Sequence, residues 1–278
     1  MNSHLQKKYE ALKSFFNKRD SVLVAYSGGV DSALVAYMAS KHCDNMKAII
    51  AKSPSLASYE LEAAQSFALK HEIPLEVIET NEIQKEGYVK NAGDRCYYCK
   101  QTLFEKMQEV QTYLIHKNEQ QWTVAYGVNM DDLGDYRPGL KAASEFNVLR
   151  PLVEAQMNKE DVRNLAKELN LEVFDKPASP CLSSRIPHGS PVTIKKLSQI
   201  EKAEGFLKQL GLKLFRVRHF DAIAKVEVAD EELNFVMNHR KAIDEELKRI
   251  GFVYVSLDMA GFESGSLNKT LELDKINE

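Results

Sequence analysis

The chain has 278 residues, 44% hydrophobic and 28% charged, with 37 Lys and Arg against 40 Asp and Glu for a formal charge of −3. That is the composition of a globular chain able to bury a core without disulfides or structural metal, and its charge balance excludes a globally basic nucleic-acid coat. Apolar runs such as Val22–Tyr26 and Ala48–Ala51 fall far short of a membrane span, and Met1–Asp20 carries scattered charges with no apolar stretch. Neither a span nor a signal peptide is therefore expected, and a cytoplasmic location is.

Ser21–Tyr26 is a β-branched run that stops at Ser27-Gly28-Gly29, as a buried parallel strand would. Asp31–Lys41 continues as helix through Leu34, Val35 and Met38. Lys47–Lys52 reads as a second strand, Ser58–His71 as helix and Leu75–Ile78 as a third strand. Leu103, Phe104, Met107, Val110 and Leu114 give Lys100–His116 a helical stripe. Thr123–Val128 and Val148–Leu152 read as strands, with helix over Asn158–Leu169. Beyond the Pro- and Ser-rich stretch Lys176–Pro191, the pattern changes. It predicts helix Thr193–Leu210, strands at Lys213–His219 and Ala222–Ala229, helix Glu231–Ile250 and strand Phe252–Leu257. Alternating strands and helices predict an α/β, doubly wound parallel sheet over residues 1–186, and the remainder a smaller α+β domain over 187–278. The polar C-terminal end reads as a loose tail.

Ser27-Gly28-Gly29-Val30-Asp31-Ser32 sits between a strand and a helix. Two glycines let the backbone turn tightly and bring N–H groups to an anion, where the helix N-terminus adds positive potential. Ser27 and Ser32 can donate to phosphate oxygens, and Asp31 can hold Mg²⁺ or cap the helix. Strand ends elsewhere in such a sheet, at Lys52, Ser53 and Gly127, are also ligand positions.

Of four cysteines, Cys43 reads as a small core residue. Cys96 and Cys99 form a C-x-x-C pair opening a helix, where the dipole favours thiolates. With Cys181 they make a three-thiolate set for a cluster with one open iron; a redox pair, or structural cysteines unrelated to Cys181, fit the pattern as well. Arg185 precedes Arg216 and Arg218, two residues apart on a strand and so on one face. They can fork a phosphate or carboxylate, although solvated charges on an exposed strand face are the plainer reading. Tyr136-Arg137-Pro138-Gly139, after Asp131, Asp132 and Asp135, reads as a turn.

The hexapeptide resembles the PP-loop of the ATP pyrophosphatases. AYSGGVDS, CYYCK, NMDDLGDYRPGLKA, ASPCLSSRIPHG, FRVRHF and LDMAGFESGSLN together are similar to one family of that group, LarE. These are ATP-dependent sulfur transferases of nickel-pincer nucleotide cofactor synthesis. The resemblance implies that Ser27, Gly28, Gly29, Asp31 and Ser32 cradle ATP with Mg²⁺, and that Lys52, Ser53 and Gly127 contact its adenine. It further implies that a carboxylate of pyridinium-3,5-biscarboxylic acid mononucleotide is adenylated and then becomes a thiocarboxylate. Arg185, Arg216 and Arg218 would hold that nucleotide substrate. Some members sacrifice a single cysteine; this chain looks like the subgroup whose three cysteines, here Cys96, Cys99 and Cys181, hold a [4Fe-4S] cluster. A homo-oligomer and a sulfur-donor protein are further implied partners.

Two other enzyme classes share the PP-loop. A tRNA-thiolating enzyme needs a basic surface, but residues 187–278 carry 14 Lys and Arg against 15 Asp and Glu, so no stable nucleic-acid partner is expected. A glutamine-fed amidating synthetase of the NAD, GMP or asparagine type needs an early cysteine, where this chain begins Met1-Asn2-Ser3; an ammonia-fed one stays open. A nucleotide-sensing adaptor would leave the cysteines unexplained.

Overall fold

The computed structural model of the chain describes residues 1–118, 120–134, 138–263 and 265–268. Asp135, Tyr136 and Arg137 of the expected turn, and most of the polar tail, lie outside the described residues. In chain order the elements are α1 (Ser3–Asn17), β1 (Ser21–Ala25), α2 (Val30–His42), β2 (Asn45–Lys52), α3 (Ser58–Lys70), β3 (Leu75–Glu79), α4 (Glu86–Lys90), α5 (Arg95–Asn118) and β4 (Thr123–Tyr126). There follow α6 (Pro138–Glu145), α7 (Pro151–Glu154), α8 (Lys159–Glu168), α9 (Ile194–Leu210), β5 (Phe215–Phe220), β6 (Ile223–Val228), α10 (Leu233–Asn238), α11 (Arg240–Ile250) and β7 (Tyr254–Leu257). Two compact units result: Met1–Ser53, Ser58–Glu82 and Cys96–Ser179 form the first, and Pro54–Ala57, Ile83–Arg95 and Pro180–Glu278 the second.

The first unit is built on a parallel sheet in the order β3-β2-β1-β4. All five residues of β1 are buried, because it has neighbours on both edges and helices on both faces. Leu23, Ala25, Ile49 and Val124 pack one face against Leu103, Phe104 and Met107 of α5 and Ala142 and Ala143 of α6. α2 lies among α1, α7 and α8, and its Tyr37 meets His71 beyond α3 edge to face. Since β2 and β3 extend to one side of β1 and β4 to the other, the strand order reverses between β1 and β4, where ligands of such sheets bind.

One strand is lost and one helix is gained relative to expectation. The strand expected at Val148–Leu152 is only a parallel bridge of Leu149 to Ala125, because Pro151 has no N–H to continue the ladder and instead opens α7. Nothing in the charged N-terminal stretch pointed to α1, yet Leu5, Leu12, Phe15 and Phe16 form its buried stripe and Asn2 caps it, accepting from Leu5 N at 2.8 Å.

In the second unit β5 and β6 pair antiparallel and β6 and β7 parallel. Val217, Val226 and Val228 of this sheet bury against Ala203 and Leu207 of α9 and Ile243 and Leu247 of α11. α9 and α11 both stop at glycines in the left-handed region, Gly211 (φ 111°) and Gly251 (φ 117°). The single helix expected over Glu231–Ile250 is instead a short 3₁₀ turn followed by α10 and α11. His239 breaks it: its ring Nδ1 bonds Phe235 O at 2.8 Å and stacks on the Phe235 ring at 4.1 Å, closing α10 off.

Candidate active site

β1 delivers the chain into the Ser27–Ser32 loop, and α2 begins at Val30. Gly28 takes φ +73°, and a Cβ there would stand 2.8 Å from Ala64 Cβ of α3, so both space and backbone demand glycine. Gly29 is different: a Cβ would meet only Ser27 Oγ at 3.6 Å, so its bareness leaves room for a ligand. Ser32 organises the loop from within. Its Oγ accepts from Ser27 N at 3.1 Å, lies 3.0 Å from Ser27 Oγ and donates to Gly29 O at 3.1 Å. The loop is thus pre-formed at a helix N-terminus, an arrangement suited to phosphate.

Gly127 follows β4, beside the loop. A Cβ on it would lie 2.8 Å from Ser32 N and 2.9 Å from Ser32 Cα, both backbone atoms, so β4 ends against the first turn of α2 only because residue 127 is glycine. Asp31 accepts from Asn129 Nδ2 at 2.9 Å and forms a close ion pair with Lys159 Nζ at the start of α8. Lys159 is fixed in turn by its backbone N–H, which donates to Asp131 Oδ2 at 2.9 Å, while Asp132 Oδ2 accepts from Asn129 N at 3.1 Å. Lys176 Nζ donates to Gly28 O at 3.0 Å and Glu60 Oε2 at 2.7 Å. Asn129, Lys159 and Lys176 were missed by sequence reasoning, since the two lysines lie 128 and 148 positions from the loop residues they reach. Lys52, the last residue of β2, is exposed and 3.7 Å from Glu79 Oε1; Ser53 follows it, half-buried.

Cys96, exposed, and Cys99, half-buried, lie in the first two turns of α5 with Lys100. Lys100 Nζ sits 4.8 Å above the Tyr126 ring. Burial pulls the Lys100 ammonium down, but Tyr126, Cys99 and Cys96 more than offset this and hold its pKa above the ordinary lysine value. A Cβ on Gly139 would come 3.0 Å from Lys100 Cγ and 3.5 Å from Cys96 O, so α6 approaches this turn closely through a glycine. Cys43, expected in the core, is only half-buried at the C-terminal end of α2: its Sγ lies 3.5 Å from Phe16 O, and burial pushes its thiol up to about 11.

In the second unit Cys181 precedes a 3₁₀ turn, Leu182–Arg185, held by Leu182 N donating to Ser55 O at 2.8 Å. Its Sγ lies 3.0 Å from Ser183 Oγ, which accepts from the Tyr88 hydroxyl at 3.0 Å. Arg185 is 1% exposed. Its Nε and Nη2 grip both oxygens of Glu204 at 2.9 Å, and its Nη1 donates to Pro180 O, Cys181 O and Ser184 Oγ at 2.5–3.1 Å. Arg218 is buried likewise, donating to Glu227 Oε2 at 2.8 Å, Ser184 O at 3.0 Å and Ser266 Oγ at 3.0 Å. Arg216 is half-buried; it donates to Phe215 O at 2.7 Å, with its guanidinium 5.1 Å from the Phe262 ring centre. The expected fork of Arg216 and Arg218 does not form, because Glu227 draws Arg218 inward. Among the described residues no three His, Cys, Asp or Glu side chains are grouped to hold a metal, and no helix is long and apolar enough to cross a membrane.

Residues 21–128, which contain the loop, the C-x-x-C pair and Gly127, match the family described as queuosine biosynthesis protein QueC. Over 252 residues the chain is 34% identical to the pyridinium-3,5-bisthiocarboxylic acid mononucleotide synthase of Lactiplantibacillus plantarum, covering 90% of each. It is 42% identical to an uncharacterized protein of Synechocystis, over 96% of this chain and 99% of that one, and 31% identical to one of Methanocaldococcus jannaschii, over 91% and 94%. A PP-loop built at the switch point of a parallel sheet, and likeness to the synthase along nearly the whole length of both chains, place the protein in the LarE family of ATP-dependent sulfur transferases.

Proposed function

We propose that this enzyme adenylates the carboxylates of pyridinium-3,5-biscarboxylic acid mononucleotide and converts them to thiocarboxylates. The observation that carries the substrate is the 34% identity to a synthase named for the corresponding bisthiocarboxylic product. The chemistry of the first unit supports it. A bare carboxylate is a poor acyl donor; its oxygen attacks the α-phosphorus of ATP, the bond to pyrophosphate breaks, and an acyl adenylate forms. A sulfur nucleophile then attacks the acyl carbon, and AMP leaves with the electron pair of the broken C–O bond.

The loop amides and the N-terminus of α2 stabilise the departing pyrophosphate charge, with Ser27 and Ser32 as hydroxyl donors. Asp31, beside Asn129, would hold Mg²⁺, and Lys159, exchanged off Asp31, would meet the phosphates. Lys52 and Ser53 at the end of β2, and Gly127 after β4, would border the adenine. In the second unit Arg216 would take the substrate phosphate, while Arg185 and Arg218 frame the Cys181 turn and so position it.

Cys96, Cys99 and Cys181 are soft donors that fit iron in kind, and we assign them to a [4Fe-4S] cluster, which when bound would supply sulfide to the acyl carbon. Of the domains expected over 1–186 and 187–278, the first would then serve ATP up to Ser179. Its last residues from Pro180, in the second unit, would join 187–278 in serving the substrate and self-association, in a cytoplasmic homo-oligomer resupplied by a sulfur-donor protein.

The test is pyrophosphate release with ATP, Mg²⁺ and the mononucleotide. Release should require the mononucleotide and disappear in Asp31→Ala. Equal release by that variant, or none by the parent chain, would remove the adenylation reading.

A further inference from the structure

Lys176 belongs to no helix or strand, yet it is the one described side chain whose ammonium holds a carbonyl of the phosphate loop. We propose that Lys176 is a positioning residue for ATP: it anchors the Gly28 carbonyl away from the phosphate position and so keeps the loop's N–H groups turned toward the anion. The inference rests on the nucleotide reading above.

A loop of two glycines can flip its peptides at little steric cost, and a carbonyl turned into the phosphate site would repel the ligand. Two contacts oppose that flip. On one side Ala64 fills the space beside Gly28, where a Cβ would stand 2.8 Å from it. Ala64 is itself fixed by the Tyr26 hydroxyl, which donates to Ala64 O at 3.1 Å. Burial, with Glu172 nearby, pushes the Tyr26 hydroxyl far above its usual pKa, so it keeps the proton it donates. On the other side Lys176 Nζ holds Gly28 O at 3.0 Å.

Glu60 makes this hold durable. It lies one helical turn before Ala64 on the same face of α3, and its carboxylate takes the Lys176 ammonium at 2.7 Å. The lysine and glutamate side chains are 23% and 15% exposed, sheltered enough for the charged bond to outlast competition from water. The pair brings no net charge to the loop, so Lys176 acts on the carbonyl rather than as a free cation for phosphate.

The plainer possibility is a strut that merely ties the linker to α3. Calorimetric binding of Mg²⁺·ATP, inorganic pyrophosphate and adenosine to the full-length chain separates the two. In Lys176→Met, ATP and pyrophosphate should bind about tenfold or more weakly, as loss of a charged hydrogen bond entails, while adenosine binds as in the parent. Lys176→Arg should restore part of the loss, and Glu60→Gln, which keeps an acceptor for the ammonium, should bind ATP within a few-fold of the parent, on the order of a neutral hydrogen bond. Unchanged ATP and pyrophosphate affinity in Lys176→Met, an equal loss for adenosine, or a Glu60→Gln defect as large as that of Lys176→Met would overturn the proposal. If Lys176→Met does not fold, the arginine and glutamine variants still decide it. A parent chain that binds neither ATP nor pyrophosphate would instead sink the nucleotide reading, and this inference with it.

Discussion

Arg185 directs its donors inward: two bonds to Glu204, and three to groups around Cys181. Both members of the pair are 1% exposed, and Glu204 Oε1 also accepts from Val217 N at 3.0 Å. Removing either partner leaves a buried charge without its counterpart, which costs about 3–5 kcal/mol. Urea unfolding of Arg185→Met and Glu204→Gln should therefore show losses of that order in both, and a loss below about 1 kcal/mol in both would mean the pair is not closed as described. The sequence marks Arg185 by its place in ASPCLSSR, but its partner on α9 is visible only in the fold. The same holds for Lys159 and Lys176. A lysine in a helix start or a linker carries no mark of what it reaches, because a contact over more than a hundred residues leaves no local pattern.

At the scale of elements, β1 to β4 and the helices α2, α3, α5 and α8 were legible, because burial on both faces gives β1 its apolar run and α5 a clear apolar stripe, whereas α1, α6 and α7 were not. What misled was local chemistry acting against pattern. Pro151 ended a strand-like run, and the His239 ring closed a helix whose sequence continues smoothly. α8 shows chemistry and pattern in agreement. Asn158 Oδ1 accepts from Asp161 N at 2.8 Å, and Asp161 Oδ2 accepts from Asn158 N at 3.0 Å and pairs with Lys8. Burial raises the Asp161 carboxyl, but Lys8, the Asn158 amide and His4 outweigh it and hold its pKa below the ordinary value. A depressed carboxyl pKa favours the charged form in the fold. Its stabilisation is present above the unfolded pKa of about 3.9 and fades as pH falls through the lower folded value. Asp161→Asn should thus cost about 0.5–2 kcal/mol at neutral pH, with a difference that shrinks in melts taken below about pH 4. A difference that stays constant or grows under acid would contradict the assignment.

For the whole molecule, the two halves differ in how far sequence reaches. The PP-loop is a continuous segment, so its residues could be named from the chain alone, and its setting between β1 and α2 is as expected. The second unit draws in Pro54–Ala57 and Ile83–Arg95, which bring Ser55 and Tyr88 to the Cys181 turn; no spacing rule anticipates those neighbours. The charge balance, 37 Lys and Arg against 40 Asp and Glu, gives no excess of positive charge for a nucleic-acid backbone, and the substrate proposed above rests on likeness to the Lactiplantibacillus synthase. If a cluster supplies the sulfur as proposed, ATP-driven sulfur insertion leaves the cysteines of this chain intact. Its most direct measurement is mass spectrometry of product and protein after anaerobic turnover with ATP, Mg²⁺, sulfide and the mononucleotide. Turnover should give more than one thiocarboxylate per chain, each carrying sulfur in place of one oxygen, and leave Cys96, Cys99 and Cys181 unmodified. One product per chain, with Cys181 converted to dehydroalanine, would contradict it.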